Sequence, residues 1–250
     1  MKKRLFAIIV FCVLVLFVYS IPAKAAESLN VAVTTNFMQT FKEIAKAFTT
    51  KTRVPVMGAL ASSGYLTDEI MKGAPYDIVL ASDEERPAEL FQKGLAEKPF
   101  VYATGKVVLW SSKQKLCGTS GWQEVVKHPS VKAIAVAWPK STNYGVASMA
   151  AIEQSQLLDI VKPKIVYAAN SDQSFEYAFA ESVDVAFCAL SSALSEEGKT
   201  GCYFEVAEAP PIIQAACVLK PAKDREAVKK FVKFLNSPEA NSIKQKYGYR

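Results

Sequence analysis

Short apolar runs alternate with amphipathic stretches in the first third of the chain. Residues 29–33 form a continuous apolar run apart from one asparagine, and residues 37–49 place Phe37, Phe41 and Phe48 on one helical face. The same order occurs twice more. The predicted strands are 29–33, 54–60 and 76–80, and the predicted helices are 37–49, 65–71 and 87–92. Strands that alternate with helices in this way predict a parallel sheet with helices on its faces.

A second set of the same kind begins near residue 120. Its predicted strands are 131–137, 165–168 and 183–189, and its predicted helices are 145–154 and 173–181, with a short helix after the last strand. Two apolar runs, 106–111 and 212–219, lie between the sets. Helices at 224–235 and 238–247 are predicted to end the chain. The pattern therefore indicates two sheets within one chain.

The simplest arrangement of these elements is a two-lobed α/β protein, each lobe a mainly parallel sheet flanked by helices. Lobe 1 is predicted to contain residues 26–108 and 216–250, and lobe 2 residues 109–215. The chain then crosses between the lobes twice, and the two crossover strands would form a hinge beside a cleft. Open parallel sheets bind ligands at the carboxyl ends of their strands, so the cleft is the expected binding site.

The N-terminus has the pattern of an export signal. Three basic residues at positions 2–4 precede an apolar run at 5–21, and the small residues Ala23 and Ala25 follow in the spacing that signal peptidase recognises. Residues 1–25 are therefore predicted to be a signal peptide that directs the protein to the periplasm. The alternative is an uncleaved membrane anchor, although the run is short for a spanning helix.

Composition and charge exclude several functional classes. Half of the 250 residues are hydrophobic and 22% are charged, which is typical of a globular protein. The formal net charge is +6, and four positive charges lie within residues 1–25, so the mature chain carries about +2. We therefore expect no nucleic-acid partner. The chain has a single histidine, His128, which rules out metal sites that need two, and we expect no cofactor.

Four cysteines remain after the predicted signal peptide: Cys117, Cys188, Cys202 and Cys217. An even number in an oxidising compartment favours disulfides or buried thiols, and the wide spacing disfavours a metal site. Four cysteines allow three pairings, and the sequence does not choose among them.

Polar residues gather where the predicted strands end and the helices begin. These turns are Thr34-Thr35-Asn36, Ala61-Ser62-Ser63-Gly64, Ala81-Ser82-Asp83, Ser141-Thr142-Asn143-Tyr144-Gly145 and Asn170-Ser171-Asp172. Helix capping explains any one of them. Five such turns at one cleft, with Lys140 as their only cation, predict an anion held by neutral donors and helix N-termini.

Several of these segments resemble one known family. The stretches Ala61–Gly64, Gly73–Ile78 and Ala81–Asp83 are similar to the A-S-S-G, G-A-P-x-D-I and S-A-D series of the periplasmic molybdate-binding proteins of ABC transporters. The resemblance covers nearly all of residues 28–248 and implies the type II periplasmic binding-protein fold. It also implies a monomeric non-enzyme that captures molybdate or tungstate and delivers it to an inner-membrane permease.

The resemblance also implies five ligand-binding positions. Ser63 matches a binding serine of the family, and Asn36 stands in place of another. Tyr144 and Ser171 replace an alanine and a valine that bind through their backbone N–H groups. Ala189 stands where the family has a tyrosine whose hydroxyl reaches the oxyanion, and Tyr144 is the candidate to replace that hydroxyl. No metal site is implied apart from the metal oxyanion itself.

These departures leave two alternatives open. The first is the same fold binding another oxyanion or a small organic anion, because Asn36, Tyr144 and Ala189 change the family pattern. The second is an enzyme that uses the cleft, with Asp77, Asp83 and Asp172 as the available acids. No nucleophile–base pair is visible, so the second is the weaker hypothesis.

The export hypothesis predicts a mature protein that begins at or near Ala26. Full-length protein is to be produced in a Gram-negative host, and the periplasmic fraction is to be analysed by N-terminal sequencing. A chain that starts at Met1 in that fraction would contradict a cleavable signal.

Overall fold

The computed structural model describes residues 27–250, which form two five-stranded sheets with helices between their strands. The strands are β1 (Leu29–Thr34), β2 (Val56–Ala61), β3 (Ile78–Leu80), β4 (Phe100–Gly105), β5 (Val107–Ser111), β6 (Ile134–Ala137), β7 (Ile165–Ala168), β8 (Val185–Ala189), β9 (Cys202–Glu205) and β10 (Ile212–Val218). The α-helices are α1 (Met38–Thr52), α2 (Ser63–Met71), α3 (Glu85–Gln92), α4 (Trp122–Lys127), α5 (Asn143–Gln154), α6 (Leu158–Val161), α7 (Ser171–Phe179), α8 (Leu190–Ala193), α9 (Glu226–Leu235) and α10 (Pro238–Lys246). Short 3-10 turns lie at Thr35–Phe37, Gln114–Leu116, Lys162–Lys164, Gly198–Thr200 and Lys220–Ala222. The predicted signal peptide, residues 1–25, lies outside the described residues.

The two sheets have the same plan. The first has the strand order β2-β1-β3-β10-β4, and the second has the order β7-β6-β8-β5-β9. In each, the first three strands are parallel, the fourth is antiparallel to its neighbour, and the outermost strand pairs antiparallel with the fourth. The predicted fold class, two mainly parallel sheets flanked by helices, is confirmed.

We call the parts built on the two sheets the first and second lobes, and the chain crosses between them twice. Only Lys106 separates β4 in the first sheet from β5 in the second, and residues 206–211 join β9 back to β10. The chain therefore passes from one sheet to the other within a few residues of the predicted lobe boundaries. The extents of the two lobes remain predictions.

The sequence pattern does not predict β4, β9, α4 or α6. Both strands lie at the outside of their sheets, where part of each strand faces solvent: two residues of β9 and one of β4 are exposed. Each nevertheless contains a short apolar run, 100–103 in β4 and 202–204 in β9, which the sequence pattern did not assign to a strand. The remaining elements differ from the predicted bounds by a few residues at their ends, as expected for helix and strand termini.

Apolar side chains cover both faces of each sheet. On the first sheet, Val31 and Val33 of β1 belong to a core cluster that includes Phe48 of α1 and Phe231 of α9, whereas Ala32 belongs to the opposite cluster with α2 and α3. This alternation is the two-residue period of a strand. The C-terminal helices α9 and α10 thus complete the core of the first lobe, although they come last in the chain.

One disulfide joins Cys117 to Cys202, with a Cα–Cα distance of 5.6 Å and 85 positions between them in the sequence. It lies wholly within the second lobe, because Cys202 begins β9 and Cys117 follows the 3-10 turn at Gln114–Leu116. Closing a loop of this length contributes about 4 kcal/mol in the chain-entropy account. Cys188 and Cys217 are buried thiols in different sheets, and burial raises the pKa of both.

Within residues 27–250, no helix has both the length and the hydropathy that crossing a lipid bilayer requires.

Lys244 of α10 is a buried cation, and its Nζ donates to the Tyr102 carbonyl at 2.8 Å. Burial lowers the pKa of Lys244 to about 8. Because the unfolded lysine titrates near 10.4, the unfolded chain binds more protons between these values, and stability rises with pH across that interval.

Lys244→Met is expected to remove this rise, since methionine keeps a similar length without the amine. Denaturant unfolding from pH 7 to 10.5 should show wild type gaining up to about 3 kcal/mol relative to the variant as pH rises above 8. The exposed Lys230→Met is the matched control. Parallel pH curves for wild type and Lys244→Met would contradict a depressed lysine pKa.

Candidate functional site

The structure places all five predicted site residues where strands end and helices begin. Asn36 lies in the 3-10 turn after β1, Ser63 and Ser171 are the first residues of α2 and α7, and Tyr144 is the second residue of α5. The fifth, Ala189, is the last residue of β8. All five are buried.

Asn36 and Tyr144 meet across the two lobes. The Nδ2 of Asn36 donates to the Tyr144 hydroxyl at 3.5 Å and to the Tyr249 hydroxyl at 3.2 Å. Asn36 and Tyr249 belong to the first lobe, whereas Tyr144 belongs to the second. The sequence-based pairing of Asn36 with Tyr144 in one site is therefore supported by direct contact between them.

The backbone carbonyl of Asn36 is held as firmly as its side chain. The Tyr249 hydroxyl donates to this oxygen at 2.6 Å, and the Ser191 hydroxyl donates to it at 2.9 Å. Ser191 comes from α8 of the second lobe, so this is a second connection between the lobes. The side-chain Nδ2 and the backbone carbonyl of Asn36 thus both form hydrogen bonds to the second lobe.

Gln214 extends this network into the first sheet. Its side chain is fully buried in β10, where Nε2 donates to the Tyr144 hydroxyl at 3.2 Å and Oε1 accepts from the Tyr102 hydroxyl at 2.8 Å. The Tyr102 hydroxyl also lies 3.2 Å from the carbonyl of Ala81, at the end of β3. Neutral side chains thus connect the strand ends of one lobe to α5 of the other.

Gly105 leaves the space that this network occupies. A Cβ atom at Gly105 would lie 2.3 Å from the Tyr144 hydroxyl and 2.9 Å from Gln214 Nε2. Gly145 allows a similarly close approach, because its Cβ would lie 2.3 Å from the Ala137 carbonyl oxygen. Gly145 therefore allows α5 to pack against the end of β6, and Gly105 allows Tyr144 to pack beside the crossover at Lys106.

Burial keeps the tyrosine hydroxyls protonated. It raises the pKa of Tyr102 and Tyr144 well above the ordinary value and raises the pKa of Tyr249 to about 12. All three therefore remain neutral hydrogen-bond donors at physiological pH.

Ser62 and Ser63 have different roles despite being adjacent. Ser62 is the N-cap of α2, and its hydroxyl accepts from the backbone N–H of Tyr65 at 3.3 Å. The Ser63 hydroxyl instead lies 3.0 Å from the Ser82 hydroxyl and accepts from the Ser82 backbone N–H at 2.9 Å. Ser63 is therefore free of capping and faces the end of β3.

The N-terminus of α7 is capped by Asn170. Its side-chain oxygen accepts from the N–H of Asp172 at 3.1 Å and from that of Gln173 at 2.9 Å. The N–H of Ser171, at the first helical position, has no acceptor within the helix. This is the backbone donor that the sequence assigns to ligand binding, and it lies at the positive end of the helix dipole.

Ala189 lies in the apolar core of the second lobe, and its side chain carries no polar atom. Hydroxyls reach the network instead from Tyr249, Tyr102 and Ser191, none of which the sequence analysis named. Gln214 was also missed, although it is a lone polar residue within the apolar run 212–219, and that isolation was a usable signal.

The acids considered for catalysis are accounted for differently. Asp77 pairs with Arg225 and accepts from the N–H of Asn30 at 2.8 Å, which joins the start of β1 to the C-terminal segment. Asp83 accepts from the N–H of Arg86 at 2.7 Å, and burial raises its pKa.

Within the part of the chain that the structure describes, no group of three or more potential metal ligands is found.

Comparison with known proteins identifies the family. Residues 29–250 match the family described as bacterial extracellular solute-binding protein. The chain belongs to this family. It is 34% identical to the molybdate-binding protein ModA of Rhodobacter capsulatus, over 92% of this chain and 90% of that protein. It is 32% identical to ModA of Azotobacter vinelandii, over 91% of each chain.

A solved structure agrees with these matches. The Azotobacter vinelandii periplasmic molybdate-binding protein superposes with a TM-score of 0.82 at 29% identity, over 89% of this chain and 98% of that one. The two-lobed architecture of this solute-binding protein is therefore that of its relatives, and members of such families serve transport.

Tyr144→Phe tests whether the buried network stabilises this solute-binding protein. The change removes the acceptor of Gln214 Nε2 and Asn36 Nδ2 and leaves buried amide donors with fewer partners. The free energy of unfolding, measured by denaturant titration, is expected to fall by about 1–3 kcal/mol. The exposed Tyr65→Phe is the control, and equal midpoints for Tyr144→Phe and wild type would contradict the network.

Proposed function

We propose that this solute-binding protein captures molybdate or tungstate between its lobes and delivers it to the permease of an ABC transporter. The observation that carries the proposal is the meeting of neutral, buried donors from both lobes at Asn36, close to three helix N-termini. Neutral donors hold an oxyanion without a full opposite charge, which keeps release fast. The molybdate-binding relatives share 32–34% of their residues with this chain.

The proposed contacts come from both sides of the cleft. Asn36 and Ser63 act from the first lobe, and Tyr144 and Ser171 act from the second. Ser63 and Tyr144 contribute hydroxyls, and Ser171 contributes its backbone N–H. Ala189 lines the site without a polar group, and the Tyr144 hydroxyl takes the place of the family tyrosine. Selection between oxyanions then depends on cavity size.

A transport function agrees better than an enzymatic one with the expected export, monomeric state and lack of a cofactor. A protein exported to the periplasm, monomeric and without a cofactor, fits the family and the predicted signal peptide. Asp77 is paired with Arg225, Asp83 accepts from the backbone N–H of Arg86, and Asp172 accepts from the Ser192 hydroxyl, so each acid has a structural partner. The two lobes, 26–108 with 216–250 and 109–215, would open and close on the ligand.

A second candidate is a larger organic anion in the same cleft. A cavity of about 260 Å³ lies beside Asn36 and is lined partly by the apolar side chains of Met38, Phe175 and Phe179. This volume exceeds what a tetrahedral oxyanion needs. Calorimetric titration with molybdate, tungstate, sulfate, phosphate and citrate separates the two candidates, because only the second predicts that citrate binds more tightly than molybdate.

Ser63→Ala is the sharpest test of the oxyanion site. The change removes one hydrogen bond to a charged ligand, so molybdate affinity measured by calorimetry is expected to fall about tenfold to a hundredfold. Ser62→Ala is the matched control, since Ser62 caps α2 and its loss costs about 1 kcal/mol of stability with little change in affinity. Wild-type affinity in Ser63→Ala would contradict the site.

A further inference from the structure

Asp172 is the one acid of the cleft turns whose carboxylate is left partly unpaired. Its Oδ1 accepts from the Ser192 hydroxyl at 2.8 Å. Its Oδ2 is buried and has no hydrogen-bond partner among residues 27–250. A buried, ionised oxygen without a partner is costly, so this atom requires either a donor or a proton.

The carboxylate lies in a cavity that both lobes build. Thr35 and Asn36 line it from the first lobe, and Asp172, Ser191 and Ser192 line it from the second. Asn36 is the one proposed ligand contact among the residues that line this cavity, and Asp172 directly follows a second, Ser171, in the chain. Phe175 and Phe179 of α7 make part of the wall apolar, which limits solvation of the carboxylate.

The charges around Asp172 all oppose its ionisation. No lysine or arginine of the described chain lines this cavity, and its other acids, Glu176 and Glu197, are exposed. Burial raises the pKa of Asp172, and the charge of Glu176 raises it further. The hydroxyls of Ser192 and Thr35 lower the same pKa. The charge of Asp172 in turn raises the pKa of three other groups, which are Tyr144 of α5, Tyr249 at the C-terminus and Cys188 of β8.

We propose that capture of the anion takes up one proton from solvent onto Oδ2 of Asp172, so that the carboxylate beside the anion site becomes neutral. An O–H bond forms at Oδ2, and the buffer supplies the proton. The proposal rests on the proposed oxyanion function. A dianion placed beside Asn36 would lie close to the Asp172 carboxylate in a poorly solvated region, and protonation of the carboxylate removes this repulsion. Affinity therefore rises as pH falls.

Calorimetry measures the proton directly. Molybdate is titrated into the mature protein in two buffers of different ionisation enthalpy, at several values between pH 6 and 8. Wild type is expected to take up as much as one proton for each anion bound, and its affinity should change by up to tenfold for each pH unit. Any proton taken up by molybdate itself appears equally in every variant and cancels in the comparison.

Asp172→Asn is the decisive variant, because asparagine is neutral, has a similar shape and supplies a donor. It is expected to bind at the high-pH end at least as tightly as wild type, with affinity independent of pH and no proton uptake. Asp159→Asn, the same substitution at an exposed position of α6 in the second lobe and outside this cavity, is the matched control and should keep the proton uptake of wild type.

The outcomes are distinguishable. Molybdate binding without proton uptake in wild type, or with equal uptake in Asp172→Asn, overturns the role of Asp172 and leaves the oxyanion function intact. No binding of molybdate or tungstate at any pH overturns the oxyanion function, and the proton coupling fails with it.

Discussion

The requirement that buried polar groups be paired governs how the two lobes meet. Gln214 and Asn36 are carboxamides, each with donors and an acceptor, and both are enclosed by protein. Their partners are the hydroxyls of Tyr102, Tyr144 and Tyr249, which come from different parts of the chain. Because each unpaired group would cost about 1–3 kcal/mol, these hydrogen bonds favour the arrangement of the lobes in which they form together.

The same requirement explains the chemistry of the cleft. Its donors are amides, hydroxyls and helix N–H groups, and burial holds the tyrosine protons in place. Within residues 27–250, no lysine or arginine lines the cavity beside Asn36, and Arg225 is paired with Asp77. The site thus combines high hydrogen-bonding capacity with little fixed charge.

Sequence patterns predicted most of the fold because most strands here are buried on both faces. Such strands appear as apolar runs, as at β1 and β8, and the helices between them have a clear apolar face. The outer strands β4 and β9 contain only short apolar runs and were not predicted, although the outer strands β2 and β7, which are also partly exposed, were. Cysteine pairing was equally inaccessible, since it depends on bringing Cys117 beside the edge strand that begins at Cys202.

For the candidate site, sequence reasoning named residues that follow strands and did not name the residues that contact them from distant parts of the chain. Asn36 and Ser171 are predictable because a polar residue at a helix start has a known role. Tyr249 reaches Asn36 from 213 positions away, and nothing local marks it as a partner. Long-range pairing of this kind is decided by the packing of α10 and β10, which only the folded structure provides.

The two crossings between the lobes are mechanically unequal. One is the single residue Lys106, between β4 and β5, and the other is the longer segment 206–211. A one-residue link has almost no slack, so any rotation of one lobe relative to the other must turn about an axis that passes close to Lys106. The longer segment, 206–211, has enough length to follow this rotation without fixing its axis. Since the disulfide stays within the second lobe, it places no covalent limit on the angle through which the protein opens.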